Sequence, residues 1–208
     1  MNAITLYQEF YNAIRESKPL EWLAVISGIA SVWYSKKENV LVYPIGLINT
    51  IIYTWISFQY NLPGEASVNF YYTVMSIYGW YIWVKKDDKK KQVVNIEYSN
   101  ARFWVYQLLF FAFCYMAIYF SLTYLKDLFF SGAIPWADAL ASATAFTGMW
   151  LMTRKKVESW YWWIATNLCS IPLYYIKDLK LTSLYYIVLF FIAIFGLSSW
   201  MKKAKTHA

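Results

Sequence analysis

The chain has 208 residues, of which 60% are hydrophobic, 22% aromatic and only 15% charged. A typical soluble domain carries about 45–50% apolar and about 25% charged residues, so an ordinary soluble enzyme or polar binding module is excluded. The formal charge of +7 does not point to nucleic acid, because the Lys and Arg residues sit in short runs between apolar spans and not on one soluble face.

Residues 1–18 open the chain. Leu6, Phe10, Ala13 and Ile14 recur at helical spacing beside Gln8, Glu9, Asn12, Arg15 and Glu16. This predicts a short amphipathic helix lying in a membrane interface. No short apolar stretch with a small-residue cleavage site is present, so no cleaved signal is expected. Seven segments then approach the roughly 20 apolar residues that a membrane helix needs. They are 19–35, 40–60, 66–84, 103–125, 134–152, 158–176 and 181–201. The expected fold is an all-α polytopic membrane protein of seven transmembrane helices. Residues 85–100 read as a solvated linker, and 204–208 as a cytoplasmic tail.

Basic residues orient the spans. The loops that hold Lys36, Lys37, Lys85, Lys86, Arg154, Lys155, Lys156, Lys202 and Lys203 carry 14 of the 19 Lys and Arg, and the opposite loops carry five. The positive-inside rule places the rich set in the cytoplasm, with the N-terminus outside and the C-terminus inside.

The chain also repeats itself. At a shift of 117 residues Glu21 meets Asp138, Trp33 meets Trp150, Val40 meets Val157, Gly79 meets Gly196 and Trp83 meets Trp200. One further residue of slip brings Asn49 onto Asn167. The expectation is two parallel three-helix repeats, 19–86 and 134–203, joined by 87–133, which holds a linker and one linking helix (3+1+3). Transporters built from parallel repeats bind substrate near the midplane between the repeats.

Polar residues at membrane depth mark candidate positions. Asn49 and Asn167 each sit in the second span of a half, with Tyr53 one turn after Asn49. Helix-to-helix bonding is the alternative role for either amide. Trp160, Trp163 and Asn167 share a face at three- and four-residue spacing. Trp160, nearer the end of its span, reads first as part of an aromatic belt and second as a gate residue. Asn69, with Tyr72, Ser76 and Trp80 above it, and Gln107 in the linking span complete the set. Glu21 and Asp138 open equivalent spans, where a carboxylate suits the helix dipole; drawing a cation to the mouth is the sharper alternative. Pro172 should weaken the helix just past Asn167.

No enzyme is expected. No metal cluster, phosphate-binding loop or dinucleotide fingerprint occurs, and no cofactor is implied. Cys114 and Cys169 lie in separate spans, which argues against a disulfide or a metal site. The single histidine, His207, stands in the tail.

The stretches "YPIGLINTIIYTWISFQYNLPGEASVNFYYTVMSIYGWYIW" and "MTRKKVESWYWWIATNLCSI" resemble the signature regions of the PnuC-type nicotinamide riboside transporters. The "GLIN", "IYGWY" and "TRKxVExWxxW…N" elements stand at that family's spacing, and the resemblance covers roughly residues 20–203. It implies a SWEET-like fold, a bacterial inner-membrane location, homotrimers, and facilitated uptake of nicotinamide riboside (vitamin B3, an NAD precursor) followed by trapping through phosphorylation. The residues themselves, read with the repeat, place the expected site between the halves, with Asn49, Tyr53, Asn69, Trp80, Gln107, Trp163 and Asn167 on the substrate and Glu21, Asp138 and Trp160 at a mouth or gate. A related transporter of thiamine, riboflavin or a sugar, and a non-transporting scaffold, remain the alternative readings.

Overall fold

The computed structural model describes residues 3–59, 63–86, 92–129 and 132–206. His207 and residues 87–91 of the expected linker lie outside them. Among the described residues are eight helices: α1 (Ala3–Glu16), α2 (Pro19–Lys36), α3 (Val42–Gln59), α4 (Pro63–Val84), α5 (Ala101–Phe129), α6 (Pro135–Thr153), α7 (Ser159–Ile176) and α8 (Lys180–Thr206). α2 and α6 both begin on proline at the first helical position. There the missing N–H has no helical partner to lose. α8 runs on to Thr206, into the stretch read as a tail.

Packing proceeds in two sets of three. α2–α3–α4 and α6–α7–α8 are each packed in sequence order; α5 lies along α6, and α1 touches α8. The sets meet where α2 packs on α8 and α4 on α6. The middle helices α3 and α7 face each other across the space left between.

Contacts recur at an interval of 117. A Cβ on Gly79 would lie 2.4 Å from the Tyr43 ring, and one on Gly196 would lie 2.5 Å from the Trp160 ring. Tyr43 meets Trp83 edge-on at 5.1 Å, and Trp160 meets Trp200 edge-on at 5.5 Å. Each glycine therefore lets one aromatic lie flush against a neighbouring helix. Both glycines sit inside helices, where glycine costs about 1 kcal/mol relative to alanine, so the close approach is what they supply.

Two helices, Ala101–Leu125 and Lys180–Thr206, are long and apolar enough to cross a membrane by length and composition. The other helices carry Ser, Thr, Asn and Tyr toward the interior, which lowers their mean hydropathy.

The described residues of the 85–100 segment do not form the free linker expected. Gln92 bridges to Lys86 and Glu97 to Lys156, and Ile96 is buried. Ser99 donates to Glu158 through both its backbone N–H and its hydroxyl, each at 2.9 Å. The polar sequence hid one apolar anchor and one hydroxyl that bind the turn between α6 and α7.

Candidate functional site

A cavity of about 1100 Å³ lies between the two sets. At one end it is bounded by Ser17, Glu21, Asp138, Lys177 and Lys180. At the other, the Lys-rich end, it stops on Tyr43, Met149, Met152 and Trp160, where Trp160 and Trp200 are fully buried. Its middle is aromatic and neutral, with Tyr53, Tyr72, Phe146, Trp163, Tyr174, Tyr185 and Tyr186 on the walls.

Of the residues singled out from sequence, Asn49, Tyr53, Asn69, Trp163 and Asn167 line this cavity, with Trp160, Glu21 and Asp138 at its ends. Two do not. Trp80 is 40% exposed on the outside of α4. Turning from Tyr72 through Ser76 to Trp80 at 3.6 residues per turn drifts off the cavity face, while Gly79 and Trp83 turn inward onto the Tyr43 ring. Gln107 is fully buried, but as a strut. Its Nε2 donates to Ser99 Oγ at 2.8 Å and its Oε1 accepts from Trp162 Nε1 at 3.1 Å. That explains Trp162, which turns from the cavity to hold α5 against α7. The belt reading of Trp160 also gives way: its ring is packed against Gly196 inside the molecule.

Asn49 and Asn167 differ in state. Asn49 Nδ2 donates to Ala24 O at 2.7 Å, and the Tyr185 hydroxyl lies against the same amide. Asn167 is 2% exposed, and its Oδ1 has no hydrogen-bond partner among the described residues. The two amides are not repeat partners either. α3 and α7 start 117 residues apart, and Tyr43 matches Trp160 at that interval, so Asn49 falls on Thr166 and Thr50 on Asn167. The bonding agrees. Asn49 reaches the Ala24 carbonyl directly, while Thr166 Oγ1 reaches Thr144 Oγ1 at 3.0 Å and Thr144 reaches Ala141 O at 2.8 Å. The extra residue of slip set the amides at one depth but turned one by about 100°.

Sequence reasoning passed over Gly28 and the Tyr185–Tyr186 pair. Tyr185 stacks on Tyr53 at 6.4 Å and Tyr186 on Tyr174 at 5.2 Å. A Cβ on Gly28 would fall 2.1 Å from the Tyr185 hydroxyl and 2.7 Å from Asn49 Nδ2. Two adjacent tyrosines in a span whose other rings are Phe and Trp were the available signal.

The ends differ in charge. Asp138 accepts from Ile134 N at 2.6 Å, closing the first turn of α6, and pairs with Lys177. Lys180 pairs with Glu9 at 3.1 Å and Asp178 at 3.0 Å, which ties α1 over this end. Hydrogen bonds from Tyr175 and then Lys180 hold the Glu9 carboxyl below its usual value. Among the described residues no cluster fit for a metal occurs.

A vitamin B3 transporter PnuC of known crystal structure superposes with a TM-score of 0.77 at 21% identity, over 99% of this chain and 92% of that one. The nicotinamide riboside transporter PnuC of Escherichia coli K12 is 24% identical over 89% of this chain and 86% of its own length. That of Neisseria mucosa is 25% identical over 91% and 76%. The riboflavin/roseoflavin transporter RibM of Streptomyces davaonensis is 19% identical over 86% and 83%. The nicotinamide mononucleotide transporter family model matches residues 18–202, and the chain therefore belongs to that family of transporters.

Proposed function

We propose that this protein takes up nicotinamide riboside by facilitated diffusion, through seven membrane-spanning helices, α2 to α8, arranged as two parallel three-helix repeats and a linking helix. α1 lies on the outer surface, and the Lys-rich end faces the cytoplasm of a bacterial inner membrane. Phosphorylation inside the cell then retains the substrate. The assembly is a homotrimer.

The observation that carries the substrate is Asn167. A buried amide oxygen without a partner costs about 1–3 kcal/mol, and a ligand N–H or O–H that reaches it recovers that loss. Nicotinamide riboside offers a carboxamide and ribose hydroxyls to Asn167 and Asn49. Its cationic ring suits the faces of Trp163, Tyr53 and Tyr72, at about 0.5–2 kcal/mol for each good contact. The sole cations on the cavity wall among the described residues are Lys177 and Lys180, and both are paired with carboxylates. A phosphate would find no free cation at depth. The riboside therefore fits, and the mononucleotide does not. Glu21 favours a cation at the mouth, where Asp138 is already paired with Lys177.

Calorimetry on purified protein tests this. The parent should bind the riboside, and Asn167→Ala should bind it about tenfold to a hundredfold more weakly, the equivalent of one good hydrogen bond. Unchanged affinity in Asn167→Ala would defeat the assignment. Riboflavin is the second reading, because the relative RibM is named for it and an aromatic cavity also suits a flavin. A competition panel that includes riboflavin, thiamine and the mononucleotide separates these readings.

A further inference from the structure

We propose that Glu38, Lys155 and Lys203 form the latch of the gate at the Lys-rich end, an ionic contact that must part before substrate leaves the cavity; this rests on the transport reading above. Glu38 N donates to Ser35 O at 2.8 Å and Asn39 N to Tyr34 O at 2.9 Å. The same pair of bonds recurs 117 residues on, from Lys155 N to Met152 O at 3.0 Å and from Lys156 N to Leu151 O at 3.1 Å. α2 and α6 thus end in one motif, whose closing residue adopts the left-handed region. Glycine is the usual occupant there. Here the occupants are Glu38, at φ 61°, and Lys155, at φ 52°.

Long charged side chains at both glycine positions call for a reason beyond backbone closure, and the side chains meet. Lys155 Nζ donates to Glu38 Oε1 at 2.8 Å, and Lys203 Nζ donates to Glu38 Oε2 at 2.9 Å. Lys155 is 1% exposed. It also donates to Gln92 Oε1 at 2.8 Å and lies 4.9 Å from the centre of the Trp83 ring. Beside this pair the two sets of helices are cross-stitched. Trp83 Nε1 donates to Thr153 O at 3.2 Å, Trp200 Nε1 donates to Ser35 O at 3.1 Å, and the two rings lie 6.2 Å apart. Each of these bonds joins one half to the other, at the end where the cavity stops. A rotation of one half that opens this end has to break them. The ion pair is the part that water can replace as the halves separate.

The test uses the full chain in proteoliposomes, with Cys114 and Cys169 replaced by alanine. Glu38→Cys with Lys155→Cys, joined by a short reversible bis-thiol linker, should lose at least tenfold in riboside uptake and regain it on reduction. Uptake at the unlinked rate while linked overturns the latch. A second measurement needs no substrate. Ser31→Cys, a cavity position, is labelled from the Lys-rich side by a membrane-impermeant thiol reagent. Glu38→Gln should label severalfold faster than the parent, and equal rates overturn the proposal. Glu38→Gly separates latch from helix closure: fast labelling supports the latch, and parent-like labelling shows that the residue serves only the backbone. Failure of the riboside to bind would count against the substrate alone, since labelling reads the gate without it.

Discussion

Gly28 shows how one absent side chain can set a site. Its bare Cα lets the Tyr185 hydroxyl from α8 and the Asn49 amide from α3 converge against α2. Gly28→Ala should overpack this point, lowering stability by about 1–3 kcal/mol and weakening riboside binding. Adding Tyr185→Phe, which removes the closest atom, should recover part of the stability. A thermal-shift series over the parent, Gly28→Ala and the double variant checks this. Glu38 gives a pH dependence with a definite sign. Burial alone pushes its carboxyl up, but hydrogen bonds and charges from Lys155 and Lys203 outweigh burial and leave it below the ordinary 4.5. A carboxyl lowered on folding contributes stability that is complete above its unfolded value and lost as pH falls through its folded value. The melting-temperature gap between the parent and Glu38→Gln should therefore be largest near neutral pH. It should begin to close as pH drops below about 4.5, where an unperturbed glutamate becomes protonated, and vanish below the lowered folded value. A gap that widens on acidification would reverse the assignment. Residues were the hardest scale to read from sequence. Asn167 was legible because a lone amide in an apolar span has few uses. Tyr185 was not, because its value depends on Gly28, far away in the chain. Gln107 was misread because a buried amide serving as a strut and one serving a ligand look alike until their partners are known.

Helices were more legible. Apolar length, with the Lys runs between the spans, placed the eight helices to within five residues of their ends. The interval of 117 was visible in glycines and tryptophans because each pair makes the same contact in its own half. Gly79→Ala and Gly196→Ala should consequently cost similar amounts, about 1–3 kcal/mol each, since each drives a methyl into a buried ring. Melting temperatures that fall for one variant and not for the other would break the equivalence. Gln107→Ala supplies the contrast. It leaves Ser99 and Trp162 short of a partner, at about 1–3 kcal/mol, yet it touches no cavity wall. It should lower the melting temperature while riboside affinity holds. What sequence obscured at this scale was the 92–100 segment. A polar run reads as solvated unless the partner of its buried Ile96 and Ser99 is known, and that partner lies about 60 residues downstream.

At the scale of the whole molecule, two packed sets of helices enclose one cavity, with carboxylates at one end and a tryptophan-and-lysine seal at the other. The layout accounts for a neutral, aromatic, amide-bearing interior that suits a cationic nucleoside better than a nucleotide. In the facilitated-diffusion reading proposed above, transport runs downhill in either direction. The central claim is that this chain equilibrates nicotinamide riboside across a membrane unaided. Counterflow in proteoliposomes measures this directly, with unlabelled riboside inside, labelled riboside outside and no ion gradient. The account predicts rapid, saturable entry of label that excess riboside blocks and mononucleotide does not, with entry strongly reduced in Asn167→Ala. Entry that demands an ion gradient, or that mononucleotide inhibits as well as riboside does, would contradict it.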